Sequence, residues 1–75
     1  KPEPDIYLTA AQKINVDPKD CVVLEDTKNG VIAAKTAGMK CIGFRNPNSG
    51  AQDLSKADVI VESIREVIEM INDMF

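Results

Sequence analysis

Cys21-Val22-Val23-Leu24-Glu25-Asp26-Thr27, followed by Gly30-Val31, Ala33-Ala34 and Ala37-Gly38-Met39, is the stretch whose reading decides the fold. Four apolar residues in a row, two of them β-branched, carry no polar alternation, which fits a strand covered on both faces, as in a parallel sheet. Two carboxylates end that strand. A helix is then predicted over residues 28–37, with Val31, Ala34 and Ala37 on one side and Gly38 as its left-handed terminator.

Upstream, Pro4 and Asp5 suit a helix start. Ile6, Tyr7, Ala10, Ala11 and Ile14 recur at helical spacing, predicting an amphipathic helix over residues 5–15. Asp17-Pro18-Lys19-Asp20 reads as a turn. Downstream, Cys41-Ile42-Gly43-Phe44 is a second short strand and Val59-Ile60-Val61 a third. Residues 45–57 are polar and rich in Asn, Ser and Gly, a long loop with a helical turn expected near Gln52-Leu54. Ser63 and Glu66 form an S-x-x-E capping box. Ile64, Val67, Ile68, Ile71 and Met74 follow as the apolar stripe of a last helix. The sum is an α/β fold: a short parallel sheet of about three strands with flanking helices.

Composition narrows the function classes. The 75 residues are 44% hydrophobic and 28% charged, with a net charge of −3, values of a small folded domain. An acidic chain without a Lys/Arg cluster is a poor nucleic-acid binder. No apolar run approaches the ~20 residues of a membrane span, so no membrane partner is expected. Histidine is absent, so chemistry falls to carboxylates, lysine or hydroxyls. No signal peptide is visible and the first residue is Lys1, which suggests a start inside a longer gene product or behind a removed leader. Cys21 and Cys41 could be a disulfide or redox pair. The expectation is that they are small buried hydrophobes in a reducing, cytoplasmic compartment.

Ligands of a parallel sheet bind at the carboxyl ends of its strands. That rim should gather residues 1–5, 25–30, 45–50 and 62–63, leaving Asp17-Pro18 and Gly38-Met39 on the opposite one. On spacing alone, Glu25-Asp26 is open to two readings. It is a hard-cation site of the type Mg²⁺ uses, or it is an acidic strand end near the positive terminus of the next helix. Lys1 is a phosphoryl-neutralising cation or an ordinary solvated lysine. Thr27 and Asn29 read as helix caps before ligands. Gly30 allows close approach at the helix start, or its amide meets an anion. The loop Arg45-Asn46-Pro47-Asn48-Ser49-Gly50 connects, or touches substrate.

As a set, these residues resemble a known family. Lys1-Pro2-Glu3-Pro4-Asp5 is similar to the third motif of the haloacid dehalogenase superfamily. Val22-Val23-Leu24-Glu25-Asp26-Thr27 with Gly30-Val31, Ala33-Ala34 and Ala37-Gly38-Met39 resembles the fourth. Nearly the whole chain is covered, and the β-phosphoglucomutase-like branch is the nearest. The resemblance implies the C-terminal part of a Rossmann-like, three-layer domain spanning residues 1–75. It also implies Mg²⁺-dependent phosphoryl transfer to and from a small, sugar-like phosphate through an aspartyl-phosphate. Lys1 would be the catalytic cation, neutralising charge on phosphoryl group and nucleophile. Asp26 would bind Mg²⁺, and Glu25 would share or support that site. Thr27, Asn29, Arg45 and Asn46 are candidate substrate or loop contacts.

The departure from the family is large. The first motif, D-x-D-G-T/S, the Ser/Thr of the second and the helical cap are absent from these residues. The chain by itself is therefore expected to be inactive, with weak or no Mg²⁺ binding. The strand from Cys21 to Glu25 would then be an open edge, to be paired by a second copy or by the missing half of the enzyme. Two other readings remain: a non-catalytic truncated interaction or structural module, and an unrelated small α/β binding domain with Glu25-Asp26 as a surface acid pair.

Overall fold

The protein is described here by a computed structural model covering residues 3–74; Lys1, Pro2 and Phe75 lie outside the described residues. Six elements follow in order: α1 (Asp5–Ile14), β1 (Val22–Glu25), α2 (Lys28–Thr36), β2 (Lys40–Phe44), β3 (Val59–Val61) and α3 (Ile64–Met74). The three strands form one sheet in the order β1-β2-β3, and both pairings are parallel. Leu24 lies beside Ile42 and Glu25 beside Gly43, while Phe44 pairs with Val61. All three carboxyl ends therefore face one rim, as the sequence predicts.

Alternate strand residues feed two cores. On one face Val31, Ala34, Cys41 and Leu54 are buried, with Tyr7 and Val23 packed against them. Ala11, Ala37 and Met39 extend that cluster under α1. On the other face Ile42, Val61 and Val67 are buried, joined by Val22, Phe44, Val59 and Met70. The small side chains of Ala33, Ala34 and Ala37, all buried, let α2 lie close on the sheet. The result is three layers.

Several sequence expectations are refined. The predicted stripe of α1 buries only Ala11 and part of Tyr7, and Ile6 and Ile14 are exposed. In α3, Val67 packs on the sheet, but Ile64 is 57% and Ile68 66% exposed, and Ile71 is also exposed. Met70, outside the predicted stripe, packs instead. Each helix seats only the residues that meet the sheet or a neighbouring element, and the rest of its apolar stripe has no packing partner among the described residues. The helical turn in the loop falls at Pro47–Ser49, not at Gln52-Leu54. Asn46 accepts a hydrogen bond from the Asn48 amide at 2.9 Å, and Pro47 has its φ pre-set for the first turn position.

The capping box of α3 forms with one change. Ser63 Oγ accepts from the Glu66 amide at 3.4 Å, but the Glu66 carboxylate returns to the amide of Glu62, at 3.0 Å, one residue before the cap. Gly38 is left-handed, φ 82°, and ends α2 as expected. Cys21 and Cys41 are free thiols. Cys41 is buried, and burial, followed by the charges of Asp58 and Glu25, pushes its thiol up to about 11, so it stays protonated and unreactive.

At the amino ends of the strands, Lys35 Nζ meets both oxygens of Asp58, at 3.1 and 2.9 Å, and donates to the Met39 carbonyl at 3.0 Å. Asp58 Oδ2 also accepts from the Cys41 amide at 2.7 Å. This ties the end of α2 to the entries of β2 and β3. Burial opposes ionisation of Asp58, but the Cys41 amide and Lys35 together hold its carboxyl below the usual value of 3.8. Its stabilisation is therefore complete above that value and disappears as pH falls through the depressed one. Asp58→Asn should cost about 1 kcal/mol at pH 7, since the half-exposed pair is screened. Urea unfolding of the two proteins should show that difference closing as pH falls through the depressed Asp58 value.

Candidate functional site

The carboxyl rim is built from three segments. Residues 25–27 end β1 and open α2, residues 45–50 leave β2, and Gln52 reaches back from the loop beyond. Thr27 caps α2: its Oγ1 accepts from the Gly30 amide at 3.1 Å, as its residue type predicts. The free amide of Lys28 is taken by Gln52 Oε1 at 3.0 Å, and Gln52 Nε2 donates to the Ser49 carbonyl at 3.0 Å. The loop is thereby fastened across the start of α2.

Asp26 is the point where the loop and the strand end meet. Its Oδ2 accepts from Ser49 Oγ at 2.6 Å and from Asn46 Nδ2 at 3.0 Å. These two bonds, Ser49 first, hold the Asp26 carboxyl below the usual carboxylate range, because both stabilise the charged form. Between Asp26, Arg45 and Gln52 only about 10 Å³ is open, room for about one water. On the other side lies an open hollow of about 200 Å³, lined by Leu24, Glu25, Asp26 and Phe44.

Glu25, which lines the same hollow, is held by three donors. Its Oε2 accepts from the Tyr7 hydroxyl at 2.6 Å, and its Oε1 accepts from the Asp26 amide and Thr27 Oγ1, both at 3.1 Å. The side chain lies so closely over Gly30 that a Cβ there would collide with Glu25 Cγ and Cδ. Close approach, one of the two readings of Gly30, is thus met, and the neighbour approached is the Glu25 side chain. Burial, and then the hydrogen bond and charge of Glu25, push the Tyr7 phenol well above its ordinary value.

The sequence and the fold match those of known proteins. The haloacid dehalogenase-like hydrolase profile matches residues 1–38, half of the chain. The chain belongs to the haloacid dehalogenase-like hydrolases. It is 44% identical over 70 residues to hexitol phosphatase B of Escherichia coli, covering 89% of this chain and 31% of that protein. To the beta-phosphoglucomutase of Bacillus subtilis it is 36% identical over 74 residues, 97% of this chain and 31% of the relative. The crystal structure of a haloacid dehalogenase family hydrolase from Deinococcus radiodurans, with bound phosphate and sodium, superposes with a TM-score of 0.86 at 32% identity. It covers 99% of this chain and 35% of that one. The chain spans about a third of the length of these relatives, all of them haloacid dehalogenase-like or phosphate-handling by name.

Within this haloacid dehalogenase-like fold the predicted site residues separate. Asp26, Thr27 and Asn46 come together on the rim. Thr27 is a cap and Asn46 a partner of Asp26. Arg45 lines the small space beside Asp26. Asn29 is exposed in the first turn of α2 and caps nothing among the described residues. The Thr27 hydroxyl, two residues earlier, already holds that role. Lys1 lies outside the described residues. Sequence reasoning missed Tyr7, filed as a core residue of α1, and Ser49, treated only as loop. The signal for Ser49 was the Asn-Pro-Asn-Ser turn, which folds its hydroxyl back toward the strand end. Ser49→Ala should move the Asp26 titration up toward the ordinary carboxylate range, followed by carboxyl ¹³C resonances; an unmoved Asp26 would remove Ser49 from the site.

Proposed function

We propose that the chain contributes the metal-facing carboxylate of a Mg²⁺-dependent phosphoryl-transfer enzyme, a phosphatase or phosphomutase acting on a small phosphorylated substrate. The observation that carries this is Asp26: an ionised carboxylate at the carboxyl end of a parallel strand, one oxygen fixed by Ser49 and Asn46, beside an open hollow that it lines. The relatives named above as phosphatase and phosphomutase support the same chemistry.

The residues fit a hard cation in part. An oxygen donor on a fixed carboxylate suits Mg²⁺. Among the described residues no group of three His, Cys, Asp or Glu converges on one point, so water and groups outside them must complete the shell. Bound Mg²⁺ would offset charge on the phosphoryl oxygens. Asp26 would hold its place through Ser49 and Asn46, and Glu25 would support it from behind through the Asp26 amide. Lys1 would neutralise the phosphoryl group, and Arg45 and Asn46 would contact substrate from the loop. The nucleophilic aspartate of an aspartyl-phosphate route would come from a D-x-D sequence, which these 75 residues do not contain.

The open edge of β1 enters the same reading. Val22–Glu25 pairs with β2 on one side only among the described residues. An apolar groove of about 460 Å³ runs beside it, lined by Tyr7, Ala11, Ile14, Cys21, Val23 and Met39. An edge of this length and polarity attracts a further strand, from the rest of the enzyme or from a second copy. The second of these is the route by which the chain would persist as an interaction module. The free, buried Cys41 agrees with a reducing cytoplasm. No helix among the described residues is long and apolar enough to cross a membrane.

One preparation of the 75-residue chain tests both parts. With Mg²⁺ and p-nitrophenyl phosphate it should show no turnover, and light scattering should show species larger than a monomer. A protein that joins this chain to a D-x-D-bearing segment should hydrolyse the ester and lose at least about 10²-fold in rate on Asp26→Asn. Undiminished activity in that variant would defeat the assignment of Asp26.

A further inference from the structure

Gln52 is a rim residue to which the function above gives no task, and its side-chain amide makes two bonds of different kinds. Oε1 accepts from the Lys28 amide at 3.0 Å, and Nε2 donates to the Ser49 carbonyl at 3.0 Å. The first takes up an amide that the opening turn of a helix leaves without a helical partner, as Thr27 does for Gly30. The second plays no part in the helix. It falls on Ser49, which is held at two further points: its amide donates to the Asn46 carbonyl at 3.0 Å and its hydroxyl to Asp26 Oδ2 at 2.6 Å. The backbone brings Gln52 to this place. Gly50 has φ 71°, a conformation glycine enters at no steric cost, and Leu54, buried with Val31, Ala34 and Cys41, anchors the far end of the segment. Gln52 thus stands between two fixed points, the first turn of α2 and the core.

We infer that Gln52 is a positioning residue: its amide clamps the Ser49 carbonyl to the start of α2 and so keeps the Ser49 hydroxyl on Asp26. This rests on the metal-facing reading of Asp26 and adds to it the residue that fixes one of its two loop partners. Without the clamp, the turn at Pro47–Ser49 keeps its internal bond from the Asn48 amide to Asn46. Past Asn46, however, only the Ser49 hydroxyl would then tie that turn to the strand end among the described residues. A single bond to a rotatable hydroxyl fixes a carboxylate far less well than one whose own backbone is held. Groups that orient a metal-facing ligand commonly carry about 10- to 100-fold in affinity or activity. Gln52→Glu separates the two bonds: a carboxylate still accepts from the Lys28 amide but has no hydrogen to give the Ser49 carbonyl.

Two measurements test it, with circular dichroism checking that each variant folds. The first, on the 75-residue chain without metal, follows the Asp26 carboxyl ¹³C resonance at neutral pH. Gln52→Glu should move it in the same direction as Ser49→Ala does, while the Lys28 amide keeps its protection from hydrogen exchange. Adding Gln52→Glu to Ser49→Ala should move it no further. A residue that only caps α2 would leave the resonance in place. A shift of equal size in the Ser49→Ala background would be the new charge acting through space. Either result would overturn the proposal. The second measurement uses the enzyme formed by joining this chain to a D-x-D-bearing segment. There Gln52→Glu should lower kcat for p-nitrophenyl phosphate at saturating Mg²⁺ about tenfold with KM unchanged; an unchanged kcat would also overturn the proposal. If Asp26→Asn leaves the rate of that enzyme intact, the metal reading of Asp26 fails on its own, and the ¹³C result still decides whether Gln52 acts through Ser49.

Discussion

The parallel pairing of β1 with β2, with Glu25 set beside Gly43, is the constraint from which the rest of the rim follows. It brings residue 26 level with the chain leaving β2, so that Asn46 and Ser49 can reach its carboxylate. Gly43 is part of the same constraint. A Cβ at that position would stand 3.2 Å from the Cβ atoms of both Leu54 and Ala57, tighter than ordinary packing, so the bare backbone lets the loop fold under the sheet. A slip of one residue would reverse every side chain of β1. Val23 would leave the cluster around Val31 and Cys41, and Glu25 would be driven to the α3 face.

Side-chain alternation then divides the acid pair. Glu25 points with Val23 toward α1 and α2, where Tyr7, Thr27 and the bare surface of Gly30 receive it. Asp26, just beyond the strand, faces the loop. The two adjacent carboxylates therefore have different tasks: Glu25 joins three elements together, and Asp26 ties the strand end to the loop. The other end of the sheet is built for cohesion, with Asp58 gathering Lys35 and the Cys41 amide.

The fold was legible because its signals are local. The unbroken apolar run of 21–24, the Val31, Ala34 and Ala37 spacing and Gly38 announce strand, helix and stop, and parallel strands place the functional rim without further knowledge. The motif resemblance at residues 1–5 and 22–39 gave the family. What the sequence hid depends on contacts between distant residues. The Tyr7 bond to Glu25 spans 18 residues and that of Ser49 to Asp26 spans 23. Neither periodicity nor capping rules reach that far. The exposed Ile64 and Ile68 were hidden for another reason: helical spacing reports a face, and only the tertiary neighbours decide how much of that face is covered.

The central claim is that cation binding centres on Asp26, and the chain offers its own control, since Asp17 and Asp20 lie in the turn at the opposite rim. Paramagnetic broadening of backbone amides by dilute Mn²⁺ reads both at once. The account predicts broadening centred on Asp26 and Thr27 and extending to Asn46 and Ser49, with Asp17 and Asp20 affected no more than other exposed acids. Broadening centred on Asp17 and Asp20, or spread evenly over the surface carboxylates, would contradict it.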